Sequence, residues 1–428
     1  MRSATAITYE MDDEIKASLQ LAGSIKEQLT LAKNTIGILL CDADFNGAVV
    51  TRELSKTLGF EVAGMTTLAT LDKDGQHESA AVLTVLTADT CDFIANASRP
   101  LSGPDYEHNI ASACRELIGE GPESGDAQPH GGATKHGDTT KPGDTTKPGD
   151  AQPHGAAPRL LFALCPSGMP FSGDRYPDII SKEAGNIPII GGVCSDDYDF
   201  ERARVFLSGR EYKDSLILIG IRGDVRPVFS IRHVTSRFAE RISRITEAEG
   251  NNVYKVGDET FVEYLQGFGL KTDVPEPALA FTAYPMMLTS VDGDGDDVAV
   301  MRHISDLDLA SGSGSFFGDV PVGAMANICM ISKPDLIEAC VDSMNALLEE
   351  AGKQPDYTYS TVLSMSCCGR AMLLGADRAA EGRVLAGALP QGVALAGAYC
   401  LGEICPSLYN ETTTRNRFHN CSITFCML

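Results

Sequence analysis

Three stretches of the chain share one plan, and this repetition constrains the fold more than any other feature of the sequence. Each has a helix-like segment that ends at Gly or Pro, then a short apolar strand, then glycine and small residues. The stretches are "LSKTLGFEVAGMTT" (54–67), "IISKEAGNIPIIGGVCS" (179–195) and "VLAGALPQGVALAGAYC" (384–400). In α/β sheets such strand ends are where ligands bind. The sequence therefore indicates either a structural repeat or three ordinary α–β connections that look alike.

The length and the order of elements favour more than one layered domain. A chain of 428 residues is long enough for about two or three domains. Helix-like and strand-like segments alternate on both sides of "RGDVRPVF" (222–229), where Gly and Pro mark a boundary. We therefore predict an α/β fold with two layered domains, at 34–224 and 225–428, each with mixed sheets covered by helices.

Residues 121–157 differ from the rest of the chain. "TTKPGD" occurs twice in tandem there, "DAQPHG" brackets the region, and large apolar residues are absent. Such a composition cannot bury enough surface to offset the entropy lost on ordering. The segment is therefore predicted to be a disordered insertion within the first domain.

Charge and cysteine content exclude several classes of partner. The net charge of −23 and the pI near 4.7 would repel the phosphates of nucleic acids and the head groups of anionic membranes. The sequence shows no signal-peptide pattern and no apolar run long enough to span a membrane. The thirteen cysteines are then expected to be reduced thiols. We expect a cytoplasmic protein with no nucleic acid and no membrane among its partners.

"DADFNGAVVTRE" (42–53) fits the calcium-loop pattern of an EF-hand at every fixed position. Its candidate calcium ligands are Asp42, Asp44, Asn46 and Glu53. An EF-hand loop needs a helix on each side, whereas the preceding "TIGILLC" (35–41) is typical of a buried strand. The sequence therefore favours a strand–loop–helix with Asn46 as the helix N-cap, and leaves calcium as the weaker alternative.

Polar side chains follow three predicted core strands near the C-terminus. They are Cys368 and Arg370 after the first strand, Tyr399 and Glu403 after the second, and His419 and Asn420 before the last. These groups could converge on a small polar ligand. The alternative is that Arg370 and Glu403 form a structural ion pair.

The sequence contains none of the common catalytic motifs that we looked for. The sequence has no G-x-S-x-G motif, no phosphate-binding P-loop and no G-x-G-x-x-G after a strand. We therefore expect that the protein is not an enzyme. The open alternative is a thiol-based enzyme or redox switch that uses Cys194 or Cys368.

Several short motifs resemble the FIST (F-box and intracellular signal transduction) family. "FEVAGMTT", "NIPIIGGVCSDD" and "LILIGIRG" are similar to the N-terminal FIST domain, and the stretch 231–269 is similar to the join between the two domains. "DVPVGAMANICMIS", "SCCGRAMLL", "GAYCLGEICP" and the final "FHN" are similar to the C-terminal domain. The resemblance covers nearly the whole chain from about residue 34.

The resemblance implies a sensory module that binds a small ligand, such as an amino acid, and signals to a partner such as a histidine kinase or chemoreceptor. It also implies an alternative, a haem-based nitric oxide sensor, for which His233, His303 or His419 would supply the axial ligand. We expect that this chain departs from the family by having no F-box or kinase module, by the insertion at 121–157 and by "HNC" near its end. We expect a stand-alone sensor without a bound cofactor.

Overall fold

The computed structural model describes residues 1–119, 157–198, 200–234, 238–291, 295, 297–410 and 412–428. The predicted disordered insertion at 121–157 lies outside the described residues, apart from Ala157.

The described residues form 26 strands and nine α-helices. The strands are β1 (Arg2–Thr8), β2 (Asn34–Cys41), β3 (Glu61–Thr66), β4 (Thr70–Asp72), β5 (Gly75–His77), β6 (Ala81–Ala88), β7 (Cys91–Ala97), β8 (Leu160–Cys165), β9 (Ile189–Val193), β10 (Val205–Leu207), β11 (Arg210–Tyr212), β12 (Ile217–Gly223), β13 (Val228–His233), β14 (Phe238–Glu249), β15 (Asn252–Val256), β16 (Glu259–Thr260), β17 (Met286–Val291), β18 (Asp297–Arg302), β19 (Ile304–Asp308), β20 (Ser313–Phe316), β21 (Met325–Cys329), β22 (Thr361–Cys367), β23 (Ala394–Cys400), β24 (Glu403–Tyr409), β25 (Thr414–His419) and β26 (Ser422–Met427). The helices are α1 (Glu14–Gln28), α2 (Gly47–Leu58), α3 (Tyr106–Ile118), α4 (Arg175–Ala184), α5 (Phe261–Gln266), α6 (Pro277–Ala280), α7 (Lys333–Gly352), α8 (Cys368–Leu374) and α9 (Ala379–Ala388).

The chain consists of three units with the same order of elements. Each unit runs strand, helix, strand, helix, strand, hairpin, strand: β1 to β6, β7 to β12, and β13 to β26. In each unit the second and third strands are parallel, as expected for strands joined by a helix. The stretches 54–67, 179–195 and 384–400 each hold the end of the helix and the second parallel strand. The structural-repeat interpretation of these stretches is thus confirmed.

The units exchange their hairpins. The first sheet has the order β1-β6-β2-β3-β10-β11, the second β7-β12-β8-β9-β24-β25, and the third β13-β26-β22-β23-β4-β5. The last two strands of each sheet therefore come from a different unit. Strands from both sides of residue 225 share the second and third sheets, so the predicted domains at 34–224 and 225–428 are interlocked.

The three sheets enclose one common core. Alternating side chains of their inner faces meet there, for example Leu40 of β2, Phe162 of β8 and Met365 of β22. The outer face of each sheet packs on its own helices: α1 and α2, α3 and α4, or α7 and α9. This arrangement confirms the predicted α/β fold class, with mixed sheets covered by helices.

A fourth sheet is inserted into the third unit between β13 and α7. Its strand order is β18-β17-β21-β14-β15-β20-β19, with β16 beside β15, and it has a hydrophobic core of its own. Arg302 of this sheet fastens it to the second sheet and its helix α4, because its Nη2 lies 2.7 Å from Oδ1 of Asp174, just before α4, and its Nη1 donates to the carbonyl of Phe418 in β25 at 3.0 Å.

Local sequence signals explain where several helices begin and end. Asn46 accepts a hydrogen bond from the Val49 amide and caps α2, as the sequence predicts. Ser332 and Asp335 form a capping box at the start of α7, and Pro334 lies in its first turn. Among the described residues, no helix is both long and apolar enough to cross a membrane.

Candidate functional site

The ends of the parallel strands from all three units meet at one place. Thr67 Oγ1 and Ser195 Oγ both donate to the Tyr399 carbonyl, at 2.7 and 2.6 Å. The Leu68 amide donates to Ser195 Oγ at 2.9 Å. We call this place the junction and define it by the residues after these strands: 66–69, 194–196, 367–370, 399–403 and 419–422. The repeated stretches thus converge where ligands bind in many α/β folds.

The third unit makes the junction asymmetric. The first parallel strand of each unit ends in a cysteine: Cys41, Cys165 or Cys367. Burial raises the pKa of Cys41 and of Cys165. Cys367 differs, because hydrogen bonding from Cys421 lowers its pKa to about 7. The side of the junction built by the third unit is therefore chemically distinct.

All six predicted ligand-binding residues lie at this third-unit side, and all are buried. Arg370 is paired with Glu381 of α9, because its Nη2 and Nε lie 2.9 and 3.1 Å from Glu381 Oε2. Ser366 Oγ donates to Glu381 Oε1 at 2.6 Å. The alternative of an Arg370–Glu403 structural pair is therefore wrong, and the partner is a glutamate that sequence reasoning missed.

The Glu403 carboxyl group is buried without a basic partner in direct contact. Ser422 donates to Glu403 Oε2 through its Oγ at 2.6 Å, and the Cys400 thiol donates to Oε1 at 3.7 Å. Burial, followed by the charge of Cys367, raises the pKa of Glu403 well above its usual value. Burial therefore favours the protonated, uncharged form of Glu403.

His419 and Asn420 lie where the chain passes from the second sheet to the third. Cys421, next in this turn, has φ of +55°, a left-handed conformation that is uncommon for non-glycine residues. His419 Nε2 lies 3.1 Å from the Cys405 carbonyl, and its ring centroid is 5.3 Å from that of His233. Burial lowers the pKa of both histidines, which makes their imidazoles neutral.

Several buried side-chain polar atoms without hydrogen-bond partners lie at this side of the junction. They include Arg370 Nη1, His419 Nδ1, His233 Nε2 and both amide atoms of Asn420. Folded proteins pair most such atoms, and each one left unpaired costs about 1 to 3 kcal/mol. The group offers donors and acceptors that a bound polar molecule would satisfy. The relevance of His233 to this group was not apparent in the sequence, because His233 lies far from the final motif along the chain.

The four calcium candidates are engaged elsewhere. Asp44 pairs with Arg202, and Glu53 Oε1 accepts from Lys56 Nζ at 2.9 Å. Asn46 caps α2, and Asp42 Oδ1 accepts from the Asp44 amide at 2.9 Å. Across the described part of the chain, no cluster of three or more His, Cys, Asp or Glu residues is placed to hold a metal ion.

The three haem candidates do not fit a porphyrin in this arrangement. The buried His419 ring packs against the half-buried His233 ring, and His303 Nε2 is hydrogen-bonded to the Ala278 carbonyl at 2.8 Å. An axial ligand needs the flat face of the macrocycle beside its free nitrogen. Haem binding remains a prediction that would require these rings to separate.

The two predicted reactive thiols have the wrong acidity. Burial raises the pKa of Cys194 to about 12, and raises that of Cys368 well above the usual value for a thiol. Since the thiolate is the nucleophile, both thiols are suppressed at neutral pH. Thiol chemistry at the junction would fall to Cys367, which sequence reasoning did not single out.

Comparisons with known proteins identify two family domains in this chain. The model of the FIST N domain matches residues 35–259, and the model of the FIST C domain matches residues 259–406. No curated protein matches the chain. The two domain matches include the residues after all three repeated strands, while the final turn at His419 and Asn420 follows the second match.

Proposed function

This chain belongs to the FIST family, whose domains are associated with sensory signal transduction, and from that premise we propose that it binds a small polar ligand at the junction. The observation that carries the proposal is the group of unpartnered buried polar atoms of Arg370, His419 and Asn420. A ligand that paired with these atoms would recover free energy that the unliganded protein lacks.

The chemistry of the group favours an amino acid. The Arg370 guanidinium is paired with Glu381, but its Nη1 atom has no hydrogen-bond partner and could donate to a carboxylate oxygen of a ligand. The Glu403 carboxyl group could accept an ammonium group, and the Asn420 amide could both donate and accept. An amino acid carries both charged groups on one small molecule. Cys368 lies next to these residues as a buried, uncharged wall of the site.

Burial gives the proposed ligand a way to act as a signal. Arg370, Tyr399, Glu403, His419 and Asn420 are each at most 1% exposed, so a ligand can enter only if the surrounding sheets part. The turn that holds His419 and Asn420 joins the second sheet to the third. A ligand with unequal affinity for the open and closed arrangements would therefore shift their populations. A partner such as a histidine kinase or a chemoreceptor would read that shift.

Isothermal titration calorimetry against a panel of amino acids tests the proposal. We expect one or a few to bind, and Asn420→Leu, which removes both free amide atoms at similar volume, to abolish binding. Asn327→Leu is the matched control, because Asn327 Oδ1 is also buried and unpartnered but lies in the fourth sheet. Silence across the panel would contradict the proposal, as would equal binding by Asn420→Leu and the native protein.

Proton release provides a second readout at the same site. Burial raises the pKa of Glu403 and so favours its protonated form in the free protein. A ligand ammonium group that pairs with it would favour the ionised carboxylate and release a proton. The observed binding enthalpy should therefore differ between buffers of different ionisation enthalpy. In Glu403→Gln that difference should disappear.

A further inference from the structure

A second candidate site lies at the opposite ends of the strands from the junction. A groove of about 1180 Å³ runs between β13, the outer strand of the third sheet, and β24 of the second sheet. The starts of β8 and β9 form its floor, at 158–159 and 186–188. The groove goes beyond the proposed ligand site, because it shares no residue with the junction.

The internal repeat provides two built-in comparisons for this groove. In every unit the outer strand lies against the start of the parallel strands of another sheet. Where β1 meets the third sheet, Ser3 Oγ closes the seam by donating to the Ser360 carbonyl at 2.6 Å. Where β7 meets the first sheet, the gap has a volume of about 200 Å³. The cavity at the β13 seam is therefore several times larger in volume than the one at the β7 seam.

Prolines explain why this seam stays open. Pro158, Pro188, Pro227 and Pro406 all line it, and none has an amide hydrogen to donate across the gap. The backbone segments on the two sides of the groove therefore cannot form a continuous hydrogen-bonded sheet. Among the described strands, β13 pairs with β26 and with no other strand, so its second edge faces the groove.

The residues that line the groove carry a net positive charge, although the protein as a whole is acidic. Its charged lining residues are Arg159, Arg226, Arg232 and Glu350, whereas the whole chain carries −23. Arg226 is partly neutralised by Asp356 at 3.2 Å. Arg159 and Arg232 are exposed and stand on either side of the gap. Negative groups would be drawn to this surface and repelled from most of the remainder.

We propose that the groove binds an extended acidic peptide segment of a partner protein, which adds as a further strand along β13. All residues from Val228 to Arg232 line the groove, as expected when a strand presents its edge. The volume exceeds that of typical small-molecule pockets and suits an extended chain. Arg159 and Arg232 would pair with acidic side chains, and the T-shaped Phe229–Tyr409 pair would contact apolar ones.

Fluorescence anisotropy with labelled synthetic peptides tests this assignment. The probe is a short peptide of alternating valine and glutamate, compared with the same peptide carrying lysine in place of glutamate. We expect the glutamate peptide to bind, the lysine peptide not to bind, and added salt to weaken binding. The same glutamate peptide with alternate amides methylated should lose at least tenfold in affinity, because it cannot donate to the β13 edge.

Charge-reversal variants locate the binding. Arg159→Glu combined with Arg232→Glu should weaken the glutamate peptide at least tenfold. Arg210→Glu, an exposed arginine on β11 outside the groove, should leave the affinity within twofold. The proposal is overturned if the glutamate peptide does not bind, if the groove variant binds it normally, or if amide methylation has no effect. Inorganic phosphate that binds these arginines more tightly than the peptide would reassign the groove to small anions.

Discussion

The buried ion pair between Arg370 and Glu381 gives a sharp prediction about stability. Arg370→Met removes the two hydrogen bonds to Glu381 and the one to the Leu336 carbonyl at 2.9 Å. The Glu381 carboxylate would then lose its cationic partner while remaining inaccessible to water. Removing one partner of a buried pair costs about 3 to 5 kcal/mol. We expect a loss of that size in the free energy of unfolding.

The double variant Arg370→Met with Glu381→Leu separates charge from packing. Replacing both partners by apolar residues of similar volume often costs nothing or stabilises a protein. The double variant should therefore recover most of the stability that the single variant loses. Urea unfolding followed by far-ultraviolet circular dichroism is the assay, because the chain has no tryptophan for fluorescence.

A matched surface variant completes the test. Arg2 lies 4.0 Å from Asp89, and both side chains are exposed, so Arg2→Met should leave the unfolding curve nearly unchanged. The reasoning fails if Arg370→Met unfolds like the native protein. It fails equally if the double variant is as unstable as the single one, since the loss would then come from packing and not from a stranded charge.

Three further predictions follow from other parts of the structure. The pKa of Cys367 is about 7, so absorbance at 240 nm should show one thiolate forming near neutral pH, and this signal should be missing in Cys367→Ser. Because the pKa of Cys367 is lowered by folding, the stability that the thiolate contributes is complete above the ordinary thiol pKa and is lost as the pH falls through about 7. The Cys367→Ser variant should lack this contribution at high pH. Arg302→Met should leave Asp174 without its buried partner and loosen the fourth sheet, which limited proteolysis would show as faster cleavage at its borders; unchanged cleavage would contradict the structural role of the pair. A chain of residues 1–224 should not fold cooperatively, because β24 and β25 are missing from its second sheet; a sharp thermal transition of this fragment would argue against the interlocking.

Local features of the fold could be predicted from the sequence because short-range chemistry controls them. The cap at Asn46 and the capping box at Ser332 each depend on side chains within three residues. The three repeated stretches could also be recognised, since each is contiguous. The strand β1 was missed because its buried positions are filled by small residues such as Ala4 and Ala6, which give a weak alternating pattern.

Long-range pairing could not be predicted from the sequence. Glu381 and Glu403 both follow Arg370 along the chain, so the sequence offers two possible partners. The fold places α9 beside α8, and Arg370 therefore pairs with Glu381. The hairpin exchange is equally hidden, because the pattern of β10 and β11 is the same whichever sheet they join. The groove beside β13 arises from strand order, so the spacing of its arginines along the chain does not indicate it.

The exchanged hairpins have a consequence for how the protein is made. As the chain leaves the ribosome, the first sheet lacks its final strands until residue 212 has been synthesised, and the second waits until residue 419. Throughout that interval their unfilled edges could pair with any strand nearby. Newly made chains should therefore depend on holding chaperones until residue 419 has been synthesised, and a stop codon before that residue would release a product with unpaired strand edges.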